Sequence, residues 1–160
     1  MLLSEIIASA INPALALLPA KMDSPAARVM LLTTGLQESK FEDRRQKGNG
    51  PARGFWQFER GGGVKGAMEH AASKDHLAAL CVERRVPFTA AGIWTAIEFD
   101  DVLAAGLARL LYWTDPGRLP AITDAGASWA LYLRTWRPGR PHPETWAAYH
   151  KTARSALQLP

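Results

Sequence analysis

From Val102 to Trp113 the chain reads Val-Leu-Ala-Ala-Gly-Leu-Ala-Arg-Leu-Leu-Tyr-Trp, apolar on nearly every side of a helix and interrupted by a single charge, Arg109. A helix with no polar face must be enclosed by other elements. The chain is therefore expected to be mainly α, with this segment as its central buried element. The punctuation elsewhere agrees: Ser24-Pro25, Thr89, Asp100 or Asp101, and Thr123 or Asp124 stand where helices would begin, and Asp115-Pro-Gly117 and Pro138-Gly139 where they would stop. Pro141-His-Pro143 leads into a last helix, Glu144 to Leu157. Long alternating patterns are missing, so strands should be scarce and confined to residues 42–57. With 160 residues there is chain enough for one domain with a real core, and no repeat, low-complexity tract or linker divides it.

The first 22 residues read as a packing helix. Leu3, Ile6, Ile7, Ala10, Ala14, Leu17 and Leu18 recur at helical spacing, and Pro13 should kink or divide the run. No signal peptide is recognised, because Glu5 stands where a basic flank belongs and Asn12-Pro13 breaks the apolar stretch. The same break makes it too short for a membrane span. Further along, residues 64–85 read as helical with Ser73 dividing them, and Leu77, Leu80 and Cys81 lie on an apolar face.

The chemistry is concentrated between Gly35 and Glu59. Ser24 and Pro25 start a helix that runs without a breaker to Glu38, so that carboxyl falls in its last turn. There the negative end of the helix dipole opposes ionisation. Burial against Phe41, Phe55 or Trp56 would raise the pKa further above the ordinary value of about 4.3. A carboxyl protonated near neutrality is a general acid. Gly35, one turn earlier, implies close approach of a backbone or a ligand, or simply a helix loosening at its end. After it, Gly48-Asn49-Gly50-Pro51 is turn chemistry suited to a loop that carries binding residues.

These residues resemble the lysozyme-like lytic transglycosylases, which include the goose-type lysozymes. Glu38-Ser39-x-Phe41 is similar to the family's Glu-Ser-x-Phe, and Gly54-Phe55-Trp56-Gln57 to its Gly-Leu-Met-Gln loop with altered middle residues. Ala130-Leu-Tyr132-Leu-Arg-Thr-Trp136-Arg-Pro-Gly139 is the nearest counterpart of a third motif, Ala-Tyr-Asn-x-Gly, which is not present as such. The resemblance runs over residues 24–139, with 140–160 as an added C-terminal helix. It implies a lysozyme-like domain with a small irregular β or loop region at 42–57. It also implies cleavage of the β-1,4 bond between N-acetylmuramic acid and N-acetylglucosamine in peptidoglycan. Glu38 would serve as general acid and then base, as in a lytic transglycosylase, whose lone glutamate yields a 1,6-anhydro sugar, or a muramidase. Ser39 would orient substrate, Gln57 would hydrogen-bond the N-acetylated sugar, Phe55 and Trp56 would offer a stacking face, and Tyr132 would hold the carboxyl. Phe55, Trp56 and Phe58 also suit a loop anchored in the core, and the stripe Trp129, Tyr132, Leu133 and Trp136 suits either core or sugar platform.

The remaining composition narrows the alternatives. A net charge of +4 favours anionic partners, among which carboxylate-bearing wall peptides fit the resemblance; no nucleic acid is expected. Arg44, Arg45, Lys47 and Arg53 form either a substrate patch or a solvated loop face. Cys81 has no partner for a disulfide, and the four histidines show no ligand spacing, so neither a metal nor a cofactor is expected. Glu59 is the one weak candidate for a second catalytic carboxylate. With no export signal recognised, the resemblance points to a phage virion, or to host cytoplasm with release to the periplasm. The competing reading is a non-catalytic virion or interaction protein that keeps the fold.

Overall fold

The structure, a computed structural model, describes all residues from Met1 to Pro160. It is helical almost throughout, and its only β pairing is a pair of isolated antiparallel bridges, Arg45 with Arg53 and Arg53 with Phe58.

The first helix does not divide at Pro13. Leu3–Ile6 (α1) and Asn12–Ala16 (α2) are α-helical, and Ile7–Ile11 between them is π-helical. The wider turn carries the helix through to Pro13 without a break, and it also rotates the buried face. Ile6, Ala10, Ile11, Ala14, Leu15 and Leu18 are inside, while Leu17, expected on that face, is 40% exposed.

Next comes α3 (Pro25–Ser39), its first turn capped by the Ser24 hydroxyl, which accepts from the Ala27 amide at 3.1 Å. A loop through residues 40–59 and a π turn at Arg60–Val64 lead to α4 (Lys65–Glu69) and α5 (Lys74–Arg84). Ser73 divides these two as expected, although its hydroxyl does not cap. It is buried and donates to the Ala67 carbonyl at 2.7 Å, fastening α5 to α4.

Thr89 caps α6 (Ala90–Ala96) through the Gly92 amide, and Asp100 caps α7 (Asp101–Trp113) through the Leu103 amide. Asp124 does the same for α8 (Ala125–Trp136) through Ala127, and Pro143 opens α9 (Pro143–Ala156). Thus Asp100 and Asp124, rather than their neighbours, are the caps.

The all-apolar segment is the hub, as its composition requires: every residue from Leu103 to Tyr112 is buried in α7. It packs against α3, α5, α8 and the π turn of the first helix, with α9 lying along α3. Arg109 is enclosed with the rest. Its Nε donates to the Met22 carbonyl at 2.6 Å and its guanidinium lies over the Trp113 ring, while burial pulls its pKa down to about 10. A main core of 29 buried residues, with a second cluster of Met30, Tyr112, Leu131, Tyr132 and Trp146 beside it, makes a single mainly α domain. No helix is long and apolar enough to cross a membrane.

Candidate active site

A cleft of about 1190 Å³ opens between the end of α3, the loop before α4, and the C-terminal half of α8 with the segment after it. Glu38, Gln57 and Tyr132 all line it, although they come from three separate parts of the chain.

Glu38 reaches the cleft because α3 stops abruptly. Lys40 and Phe41 both take left-handed backbone, at φ 55° and 56°, which reverses the chain within two residues. The Phe41 ring folds back beneath the helix, between Phe55 and Trp56 in edge-to-face contact at 5.7 and 5.5 Å. It lies so close to Gly35 that a Cβ there would stand 2.1 Å from the ring. Gly35 therefore makes room for Phe41, neither for a backbone nor for a ligand. The half-buried carboxyl of Glu38 accepts one hydrogen bond, from the Tyr132 hydroxyl at 2.6 Å. Burial is the dominant influence and pushes its pKa up to about 7, against the opposing pull of the tyrosine.

Tyr132 sits in an aromatic stack. Its ring lies 4.8 Å from Trp146 and 5.2 Å from Trp129, and the next layer joins Trp136 to Tyr112 at 4.6 Å. Behind the pair, the Tyr112 hydroxyl meets the Thr34 hydroxyl at 2.5 Å. Both phenols are held above their usual pKa, first by burial and also by the Glu38 charge, against the opposing Thr34 hydrogen bond at Tyr112, so Tyr132 stays a donor.

Gln57 occupies the tip of a tight loop in which Arg53 and Phe58 exchange backbone hydrogen bonds at 3.0 and 2.9 Å. Its own backbone is left-handed, φ 50°, and its Nε2 donates to the Gly54 carbonyl at 2.9 Å. That leaves the amide oxygen as the group with acceptor capacity toward the cleft.

Ser39, Phe55 and Trp56 are placed differently from their expected roles. The Ser39 hydroxyl is buried, donating to the Phe55 carbonyl at 2.6 Å and accepting from the Phe41 amide at 3.1 Å; it joins the end of α3 to the loop. Phe55 and Trp56 are core residues, and the Trp56 indole donates to the Leu31 carbonyl at 2.9 Å. They offer no stacking face. The aromatic rings that do line the cleft, besides Tyr132, are Phe58 and Trp136, tilted against each other at 5.4 Å. Trp136 also ties the two walls, its indole donating to the Trp56 carbonyl at 3.1 Å. Its place in the α8 stripe was the available signal.

The charges are also redistributed. Arg44 pairs with Asp101, Arg45 and Arg53 with Glu98, and Lys47 with Asp43, so the basic cluster of the loop is matched by carboxylates and none of the four lines the cleft. The cations that do are Lys65, Arg134, Arg137 and Arg140. Lys65 pairs with Glu69 and Arg134 with Asp115, whereas Arg137 and Arg140 are exposed without a carboxylate partner. Glu59 lines the cleft, is exposed, and forms no salt bridge. No cluster of His, Cys, Asp and Glu side chains could hold a metal ion. No protein-family model, no curated protein and no solved structure matches the chain.

Proposed function

We propose that this chain cleaves the β-1,4 glycosidic bond between N-acetylmuramic acid and N-acetylglucosamine in peptidoglycan, on a lysozyme-like fold, with Glu38 as general acid and then base. The observation that carries the reading is Glu38 itself: a half-buried carboxyl in an open cleft, with a pKa pushed up to about 7 and a single tyrosine donor. A structural carboxylate would be paired with a cation, as Glu98 and Asp101 are. A carboxyl left protonated near neutrality has a proton to give.

The chemistry follows from the arrangement. Tyr132 occupies Oε1 of Glu38, so the other carboxyl oxygen carries the transferable proton. That proton passes to the glycosidic oxygen as the bond from the sugar's C1 breaks. The carboxylate left behind then takes a proton from the oxygen that attacks C1. If this is the sugar's own 6-hydroxyl, a 1,6-anhydro ring closes and no water is consumed; if it is water, the bond is hydrolysed. The oxygen of the Gln57 amide accepts from the N–H of an acetamido group, and Trp136, backed by the buried Phe58, supplies an apolar edge for the ring. The glycan strand is the partner, and a phage virion or host cytoplasm with release to the periplasm is the setting in which such an activity would serve.

Mass spectrometry of purified peptidoglycan after digestion tests the proposal. Muropeptides ending in anhydro sugar identify the intramolecular route, and products heavier by one water identify hydrolysis. An absence of cleavage on several wall types would reject the enzyme and leave the non-catalytic virion reading.

A further inference from the structure

We propose that Glu98 is a positioning residue for the cleft: one buried carboxylate that fastens both edges of the loop 46–52 and, through Arg53, the adjoining turn on which Gln57 stands. This rests on the catalytic reading of the cleft for its activity arm, though not for its structural arm.

Arg45 and Arg53 face each other as an antiparallel pair across the neck of the loop 46–52, and Arg53 pairs in turn with Phe58 to close the next turn, which carries Gln57. Two like charges directly opposed repel and would open the neck. Here both guanidiniums converge on Glu98, Arg45 Nε at 2.6 Å from one carboxyl oxygen and Arg53 Nη1 on the other, so the repulsion becomes a clamp. Glu98 is 4% exposed and lies in the turn between α6 and α7, beside the core residue Ile97 and outside the loop. Hydrogen bonding and charge from Arg45, then Arg53, hold its pKa below the ordinary range, so it stays ionised in the pH range where Glu38 titrates.

The clamp reaches Gln57 through backbone. Arg53 exchanges both of its ladder hydrogen bonds with Phe58, and Gln57 is the residue immediately before Phe58. Where Arg53 is held, the Gln57 amide is held. Neighbouring contacts point the same way: the Arg53 guanidinium stacks 3.8 Å over the Trp94 ring, and the Trp94 indole donates to the Pro51 carbonyl at 2.8 Å. Arg44 grips Asp101 with both nitrogens and donates to the Glu98 carbonyl at 2.9 Å. At Gly54 the loop passes so near α6 that a Cβ would stand 2.5 Å from the Ile97 carbonyl oxygen. A buried ion cluster stabilises little relative to apolar packing of the same volume; its best-attested use is to fix one register. The register fixed here is that of a cleft wall.

The test combines amide exchange with kinetics, using Glu98→Gln, Glu98→Asp and Arg45→Gln in the full chain. Arg45 is largely exposed, so its replacement loosens the clamp with little risk to folding. In Glu98→Gln, exchange of the Arg53, Gly54, Gln57 and Phe58 amides should quicken by at least about tenfold while α3 and α7 keep their protection. Arg45→Gln should show a smaller change at the same four amides. On purified peptidoglycan, kcat/KM of Glu98→Gln should fall by about tenfold. Adding Glu98→Gln to Gln57→Ala should cost little more than Gln57→Ala alone, the pH limb set by Glu38 should not move, and Glu98→Asp should recover part of the loss. Unchanged loop protection, or losses at Glu98 and Gln57 that multiply, would overturn the proposal. If the wild type cleaves no wall material the exchange result decides alone, which separates failure of this inference from failure of the catalytic reading.

Discussion

The Tyr132 hydroxyl donates to Glu38 Oε1 at 2.6 Å across 94 residues of sequence, joining the last turn of α3 to the middle of α8. Two opposing effects meet at this contact. Burial raises the carboxyl's pKa, and the tyrosine, by favouring the charged form, lowers it. The value near 7 is their balance, and it keeps an acid that can give up a proton and take one back at neutral pH.

Tyr132→Phe removes the downward influence alone. The Glu38 pKa should then rise above about 7, moving the alkaline limb of the pH–rate profile to higher pH, while the rate falls because the carboxyl has lost the contact that orients it. A profile measured across the neutral range checks the sign; displacement toward lower pH would contradict it.

Glu38→Gln should stabilise the protein at alkaline pH. A carboxyl whose folded pKa is raised binds more protons in the folded than in the unfolded state, so it lowers stability as pH climbs from its unfolded value of about 4.3 to its folded value near 7. Above that window the cost should be roughly 2 kcal/mol, allowing for solvent that reaches the carboxyl through the cleft. Thermal melts of the two proteins should coincide at pH 4 and separate by pH 8, the variant being the more stable.

Gly35→Ala should destabilise by about 1–3 kcal/mol, the usual cost of overpacking. The added Cβ would meet the Phe41 ring at 2.1 Å, and that ring is wedged between Phe55 and Trp56 with 1% of its surface exposed. Denaturant unfolding of Gly35→Ala beside Gly61→Ala, where the new atom meets nothing within 4 Å, separates crowding from the general effect of losing a glycine.

Binding to sacculi should depend on Arg137 and Arg140 more than on the loop cluster. These two cations line the cleft without carboxylate partners, whereas Arg44, Arg45, Lys47 and Arg53 are engaged by Asp43, Glu98 and Asp101. Exposed charge is screened within about 8 Å at physiological salt. Co-sedimentation at low and high salt should therefore show the salt response shrinking in Arg137→Gln/Arg140→Gln and persisting in Lys47→Gln.

Features that depend on near neighbours were legible in the sequence. Ser24, Thr89, Asp100 and Asp124 each cap an amide three residues ahead, and the unbroken run to Glu38 places that carboxyl at a helix end whatever surrounds it. The apolar circumference of α7 dictated its central position in the same way. What escaped depended on backbone angles or on distant partners. Phe41 and Gln57 take left-handed backbone although neither is glycine, and those angles decide that Phe55 and Trp56 turn inward while Phe58 meets the cleft. The π turn at Ile7–Ile11 carries no composition signal, so the buried face beyond it was displaced. The loop arginines looked free because their carboxylates, Glu98 and Asp101, lie 45 to 57 residues away.

The central claim is that Glu38 moves the proton, and the rate of release of soluble fragments from purified peptidoglycan by wild type and Glu38→Gln, measured from pH 5 to 9, tests it most directly. The variant keeps an oxygen for Tyr132 and the shape of the side chain but has no proton to transfer, so its rate should drop by about a hundred- to ten-thousand-fold with the fold intact. Wild-type activity should decline as pH rises past about 7. Equal rates for the two proteins, or a wild-type rate indifferent to pH through that range, would contradict the account.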